Sequence, residues 1–164
     1  MKQLIIQKLI KMKKTIYLTM IAMMFYGLAL NAQTKQDSLA IEMACRNYVE
    51  GWAEGNVERV AQGVSPELVK RTISRDKDGV NSISNMGASL LINASKMNKD
   101  GNKARDFEPD KNFKLDVFIY DITGDYALAK TVNTKYGFFD YCQLAKFNGE
   151  WKIINVLWGM LPQK

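Results

Sequence analysis

"DYCQLAKFNGEWKIINVLW", residues 140–158, reads as two β-strands closed by a two-residue turn. Asn148-Gly149 is the strongest short-range hairpin signal, because a tight turn of matching twist needs positive φ at both positions. Such a turn pairs Phe147 with Glu150. Counting back sets Leu144 opposite Ile153, Cys142 opposite Asn155 and Asp140 opposite Leu157. Side chains alternate between faces. One face then carries Phe138, Asp140, Cys142, Leu144, Trp151, Ile153, Asn155 and Leu157. The other carries Phe139, Tyr141, Gln143, Ala145, Ile154, Val156 and Trp158. Both are apolar, whereas a half-solvated antiparallel sheet shows one polar face. Both faces are therefore expected to be covered, one by helices and the other by a second copy of the chain.

Two polar residues interrupt the first face. Asp140 and Asn155 become diagonal neighbours on adjacent strands, close enough to share a ligand or a water. An ionised carboxylate under helices is costly without partners. In a structural reading, Asp140 accepts bonds from backbone, Tyr or Arg groups and fixes the packing. In a functional reading, Asp140 and Asn155 form the polar floor of a cavity, with Tyr48 and Trp52 as aromatic walls. The structural reading is the simpler.

Upstream of the hairpin the period is helical. Asp37 is a suitable N-cap for "SLAIEMACRNYVEGWAEG", where Ile41, Cys45, Tyr48 and Trp52 recur on one face and Gly55 ends the helix. Asn56 can cap a short second helix to about Gln62. "SPELVKR" at 65–71 has the form of another helix start, with Ser65 as N-cap and Pro66 at the first position. A charged turn at 74–81, a helix over 82–97 and a polar loop over 98–112 follow. Strands are then expected over 113–122, 126–135, 136–147 and 150–158. Helices followed by an antiparallel meander define an α+β fold.

The first 32 residues differ in kind. Five lysines and no acid precede or enter "TIYLTMIAMMFYGLAL" at 15–30, and Ala32 is a small residue before Gln33. This pattern reads as a signal peptide over 1–32, followed by one domain over 33–164. A start at Met12 is equally compatible. The apolar run is shorter than the ~20 residues of a spanning helix, which favours cleavage over a stable membrane span. The expected location is exported, periplasmic or secreted. The whole chain has 23 basic and 17 acidic residues, a net charge of +6. Five of the 23 basic residues lie in the leader, so the remainder is nearly neutral at 18 against 17. A nucleic-acid partner needs a clustered basic excess, which is missing. The chain has no His, which excludes His-based triads and His metal ligands. No ligand cluster suggests a metal, and no cofactor is expected. Cys45 and Cys142 could pair in an oxidising compartment but read better as buried thiols.

"YVEGWAEGNVERVAQGVSPELVKRT" at 48–72, together with the 140–158 ending, resembles the nuclear transport factor 2-like superfamily, and within it the bacterial group labelled "putative lumazine-binding". The resemblance covers nearly all of 33–164. It implies a cystatin-like cone, in which N-terminal helices pack in the concave face of a curved antiparallel sheet and leave a pocket, with dimerisation through the outer sheet face. The superfamily includes dehydratases, isomerases and cyclases with His, Asp or Tyr inside the cone. This chain has Asn155 and Ser65 where relatives often carry His.

Three functions follow. The favoured one is a binding module for a small, partly apolar molecule, with Tyr48, Trp52, Arg71, Asp140, Trp151 and Asn155 as candidate ligand contacts. Arg71 also reads as an ordinary basic helix end. The second is a lyase- or isomerase-type enzyme with Asp140 as general base, helped by Tyr48 or Tyr141. The third is a dimeric interaction module presenting Phe139, Tyr141, Val156 and Trp158.

Overall fold

The computed structural model describes residues 12–14, 17, 35–100 and 114–162. The expected leader cut after Ala32, and most of the run at 15–30, lie outside the described residues. The chain divides into two units, Met1–Gln36 and Asp37–Lys164, and the sheet belongs to the second.

Helix α1 spans residues 35–54. Its apolar stripe buries Ile41, Cys45, Tyr48 and Val49, as the spacing requires. Gly55, at φ 68°, ends it: Asn56 N–H donates to Gly51 O and Gly55 N–H to Trp52 O, which satisfies two carbonyls of the last turn. Asp37 is not the N-cap. It lies inside the helix, buried, and accepts hydrogen bonds from Lys146 Nζ at 2.7 Å and Trp151 Nε1 at 2.9 Å. Helix α2, Val57–Gly63, is capped by Asn56, whose side chain accepts from Arg59 N–H.

The expected helix at 65–71 is a strand instead. Strand β1 runs Val64–Arg75, antiparallel to β2 (Asn81–Gly87) on one side and parallel to β6 (Glu150–Met160) on the other. Pro66 and Ser65 fall in a break of register between Val64 and Val69, where the missing proline N–H costs no ladder bond. Long-range pairing on both sides overrides the local cap signal. The expected helix over 82–97 is likewise divided: its first part is β2, and α3 begins at Ala88 and reaches Asp100. Of the loop expected over 98–112, residues 98–100 belong to α3 and the rest lie outside the described residues.

The meander is as expected: β3 Leu115–Thr123, β4 Tyr126–Asn133, β5 Phe138–Phe147, then β6. The six strands form one curved, unclosed sheet in the order β2-β1-β6-β5-β4-β3. All neighbours are antiparallel except β1 and β6. Register shifts in β1, β3 and at the β5–β6 pair each add local twist, which is how a sheet of this width bends around helices. The fold is thus an α+β cone. Its core joins Ile41, Cys45 and Val49 of α1 to Leu68, Leu91, Ala129, Cys142, Leu144, Ile153 and Val156.

One shift changes the assignment of faces. The hairpin turn is in place, with Asn148 at φ 50° and Gly149 at φ 85°, and Leu144 does face Ile153. Gln143 then faces Asn155, leaving Ile154 unopposed. Beyond this bulge every β6 side chain has changed sides relative to the simple count. Val156 and Trp158 join the core cluster, while Asn155 and Leu157 turn to the outer face.

Candidate functional site

A cavity of about 320 Å³ lies between α1, α3 and the inner sheet face. Trp52, Tyr136 and Phe138 form one aromatic wall. The Trp52 ring stands edge-on to the other two at centroid distances of 5.4 and 5.6 Å. Leu91 and Ala94 of α3, Met86, Trp158 and Met160 complete most of the remaining apolar lining. Asn98 Nδ2 donates to Trp52 O at 2.8 Å, holding α3 against the end of α1. Lys70 is the one charged side chain among the described residues of the lining.

Lys70 arrives there because β1 is a strand. Alternation sends Leu68 and Lys70 inward and Arg71 outward. Lys70 Nζ donates to Asp140 Oδ1 at 2.9 Å and to Tyr48 Oη at 2.5 Å. It also lies 4.9 Å from the Trp158 ring centroid, 5.2 Å from that of Tyr48 and 5.8 Å from that of Phe138. Those distances permit cation–π attraction from three rings. Its side chain keeps 12% exposure.

Asp140 sits beneath this ammonium with 0% exposure. Tyr48 Oη donates to its Oδ1 at 3.1 Å, and Thr131 Oγ1 donates to its Oδ2 at 3.1 Å. Three side-chain donors therefore satisfy the carboxylate. Burial, and then the Asp140 carboxylate, push the Tyr48 phenol well above its ordinary pKa. Tyr48 stays protonated, donating to Asp140 while accepting from Lys70. Cys142, fully buried, has its thiol pushed well up, first by the hydrogen bond with Cys45 and then by burial. Both cysteines are free thiols.

Of the six residues singled out from the sequence, Tyr48 and Trp52 line the cavity, and Asp140 lies directly behind Tyr48 and Lys70. The other three lie elsewhere. Arg71 is exposed and donates from Nε to Asn85 Oδ1 across β1–β2. Trp151 is buried at 4% exposure, with its indole N–H committed to Asp37. Asn155 points to the outer face and donates from Nδ2 to Gln143 Oε1. The outer face expected to show Val156 and Trp158 instead shows Tyr141 and Leu157, beside half-buried Phe139. Lys70 and Thr131 escaped the sequence reading. Strand alternation through "LVKRT" would have found Lys70, had the Ser-Pro not signalled a helix.

Among the described residues, no group of three or more His, Cys, Asp or Glu could hold a metal, and no helix is long and apolar enough to cross a membrane.

Comparison with known proteins places the fold. No curated protein matches the chain. Solved structures with similar folds include an NTF2-like protein of unknown function from Shewanella baltica. It has a TM-score of 0.57 and 20% identity, over 78% of this chain and 96% of that one. A second such protein, from Silicibacter pomeroyi, has a TM-score of 0.59 and 18% identity, over 77% and 98%. A "Putative Scytalone Dehydratase" from Novosphingobium aromaticivorans has a TM-score of 0.54 and 12% identity, over 80% and 89%. Residues 36–159 match a family model, and the chain belongs to the family described as "Putative lumazine-binding", on the NTF2-like, cystatin-like fold.

Proposed function

We propose that the chain is an exported binding protein whose cone holds one small, partly apolar molecule, and that it works as a homodimer. The observation that carries the binding reading is the cavity. It has about 320 Å³ of space walled by aromatic and aliphatic side chains, with one charged group among the described residues, whose partner is already built in. A concave apolar site with few, fixed polar groups suits ligand binding. The family description and the leader-like first 32 residues support the same reading.

The lyase or isomerase alternative has less support. A general base must reach its substrate's proton. Asp140 has no exposed surface, and its oxygens accept from Tyr48, Lys70 and Thr131. Self-association has its support on the outer face, where Phe118, Tyr120, Tyr141 and Leu157 are exposed.

Native mass spectrometry of the protein purified from cells expressing the full chain tests all three parts. The expected spectrum is a dimer beginning at Gln33 with a small molecule retained, lost on Trp52→Ala. An empty protein that also fails to take up aromatic compounds added in solution removes the binding reading.

A further inference from the structure

Lys70, the one charged group among the cavity's described lining residues, narrows the chemistry of its occupant. We propose that the ligand is a neutral, flat, ring-containing molecule whose carbonyl oxygen accepts a hydrogen bond from Lys70 Nζ. This rests on the ligand-binding reading above and goes beyond it by naming the ligand class.

The argument begins with charge. Lys70 and Asp140 are 2.9 Å apart, so the pair is neutral as a unit. An anionic ligand would place a second anion on an ammonium already compensated, leaving an uncompensated negative charge in an apolar site. A cationic ligand would meet the Lys70 ammonium itself, which already occupies the space among the Tyr48, Phe138 and Trp158 rings. A neutral ligand avoids both costs.

Hydrogen bonding supplies the second step. An ammonium has three N–H donors and no acceptor. Two are spent, on Asp140 Oδ1 and Tyr48 Oη. The third has no partner among the described residues and is left for an acceptor entering the cavity that Lys70 lines. A carbonyl oxygen supplies that acceptor without charge. The Tyr48 hydroxyl proton goes to Asp140, so of these two polar groups Lys70 is the one with a proton to offer.

The walls supply the third step. Trp52, Tyr136, Phe138 and Trp158 offer ring edges and faces, and Met86 and Met160 offer polarisable thioethers. Such walls favour an aromatic or conjugated ring. The volume equals roughly ten waters at liquid density, enough for a compact fused ring.

Four naphthalenes substituted at the same ring position separate these contributions by titration calorimetry on the purified full-chain protein. They are acetylnaphthalene (neutral carbonyl), ethylnaphthalene (no polar group), naphthoate (anion) and naphthylmethylammonium (cation). A hydrogen bond from a charged donor corresponds to about tenfold to a hundredfold in affinity. Acetylnaphthalene is expected to bind tighter than ethylnaphthalene by that factor, and tighter than either ion. In Lys70→Met/Asp140→Asn, which removes both charges together, the ketone preference should vanish while ethylnaphthalene binding persists. If that variant does not fold, the wild-type series decides. Naphthoate or the ammonium binding tightest overturns the neutral-carbonyl class and leaves the binding reading standing. Equal affinity of ketone and hydrocarbon overturns the role of Lys70 and also leaves that reading standing. No binding by any of the four overturns both.

Discussion

Lys70 and Asp140 form a nearly dry ion pair, and such pairs respond unequally to loss of one or both members. Removing one partner strands the other charge, typically at a cost of roughly 3–5 kcal/mol, whereas removing both leaves no stranded charge. Lys70→Met alone and Asp140→Asn alone should each lower the urea midpoint strongly. The double variant should lose far less than the two singles combined, as a double-mutant cycle will measure. Asp37 gives a second residue-scale test. Hydrogen bonds from Lys146 and then from Trp151, reinforced by the Lys146 charge, hold its carboxyl below the ordinary value. A folded pKa below the unfolded one contributes stability that is present above pH ~4 and is lost as pH falls through the folded value. Acid unfolding followed by tryptophan fluorescence should therefore show a step below pH ~4 that Asp37→Asn removes.

At the scale of elements, α1 matters most, because it carries Tyr48 and Trp52 to the cavity. Its position is set by α2 as well as by the sheet. Arg59 of α2 reaches Glu54 at 2.6 Å, Asn47 at 3.2 Å and also Glu50. Gly63 allows a closer approach. A Cβ there would lie 2.5 Å from Ala44 O and 2.7 Å from Tyr48 N, backbone atoms that cannot rotate away. Gly63→Ala should therefore push α1 outward. The expected loss is about 1–3 kcal/mol of stability by denaturant titration, the range for overpacking. Weakened acetylnaphthalene binding should accompany it, since the backbone displaced is that of Tyr48. An unchanged denaturation midpoint would show that α1 can shift without cost.

For the molecule as a whole, the outer face is where assembly is tested. Strand register lines up Phe118, Lys130, Tyr141, Leu157 and Arg71 in one row across β3, β4, β5, β6 and β1. Phe118, Tyr141 and Leu157 in that row are exposed. A self-associated sheet face places a new charge at Leu157 in an apolar interface, where it is strongly disfavoured. Leu157→Asp should convert a dimer to a monomer by light scattering, with ligand binding retained because the cavity lies on the opposite face. A wild-type protein that is already monomeric at high concentration would end the dimer proposal.

Much of this was legible in the chain. Asn148-Gly149 determined the hairpin, since few other residue pairs tolerate its two positive φ angles. The spacing of Ile41, Cys45, Tyr48 and Trp52 determined one face of α1, and so brought Tyr48 and Trp52 together. Period-two alternation determined the inward position of Asp140, because the extra residue lies on β6 and the alternation along β5 from Leu144 back to Phe138 is unbroken. What escaped depended on partners distant in sequence. Ser65-Pro66 carries a local helix signal, and only pairing with β2 and β6 makes it the start of a strand and turns Lys70, rather than Arg71, inward. Nothing local marks Ile154 as a bulge. The β5–β6 register breaks there, sending Val156 and Trp158 inward and Asn155 out. A strand records its period in its own residues, but it takes its breaks in register from the strands beside it. The sequence by itself therefore determined the hairpin, the meander and the inward carboxylate, and its resemblance to a known superfamily implied the cone. Tertiary pairing decided which cation meets that carboxylate and which rings surround it.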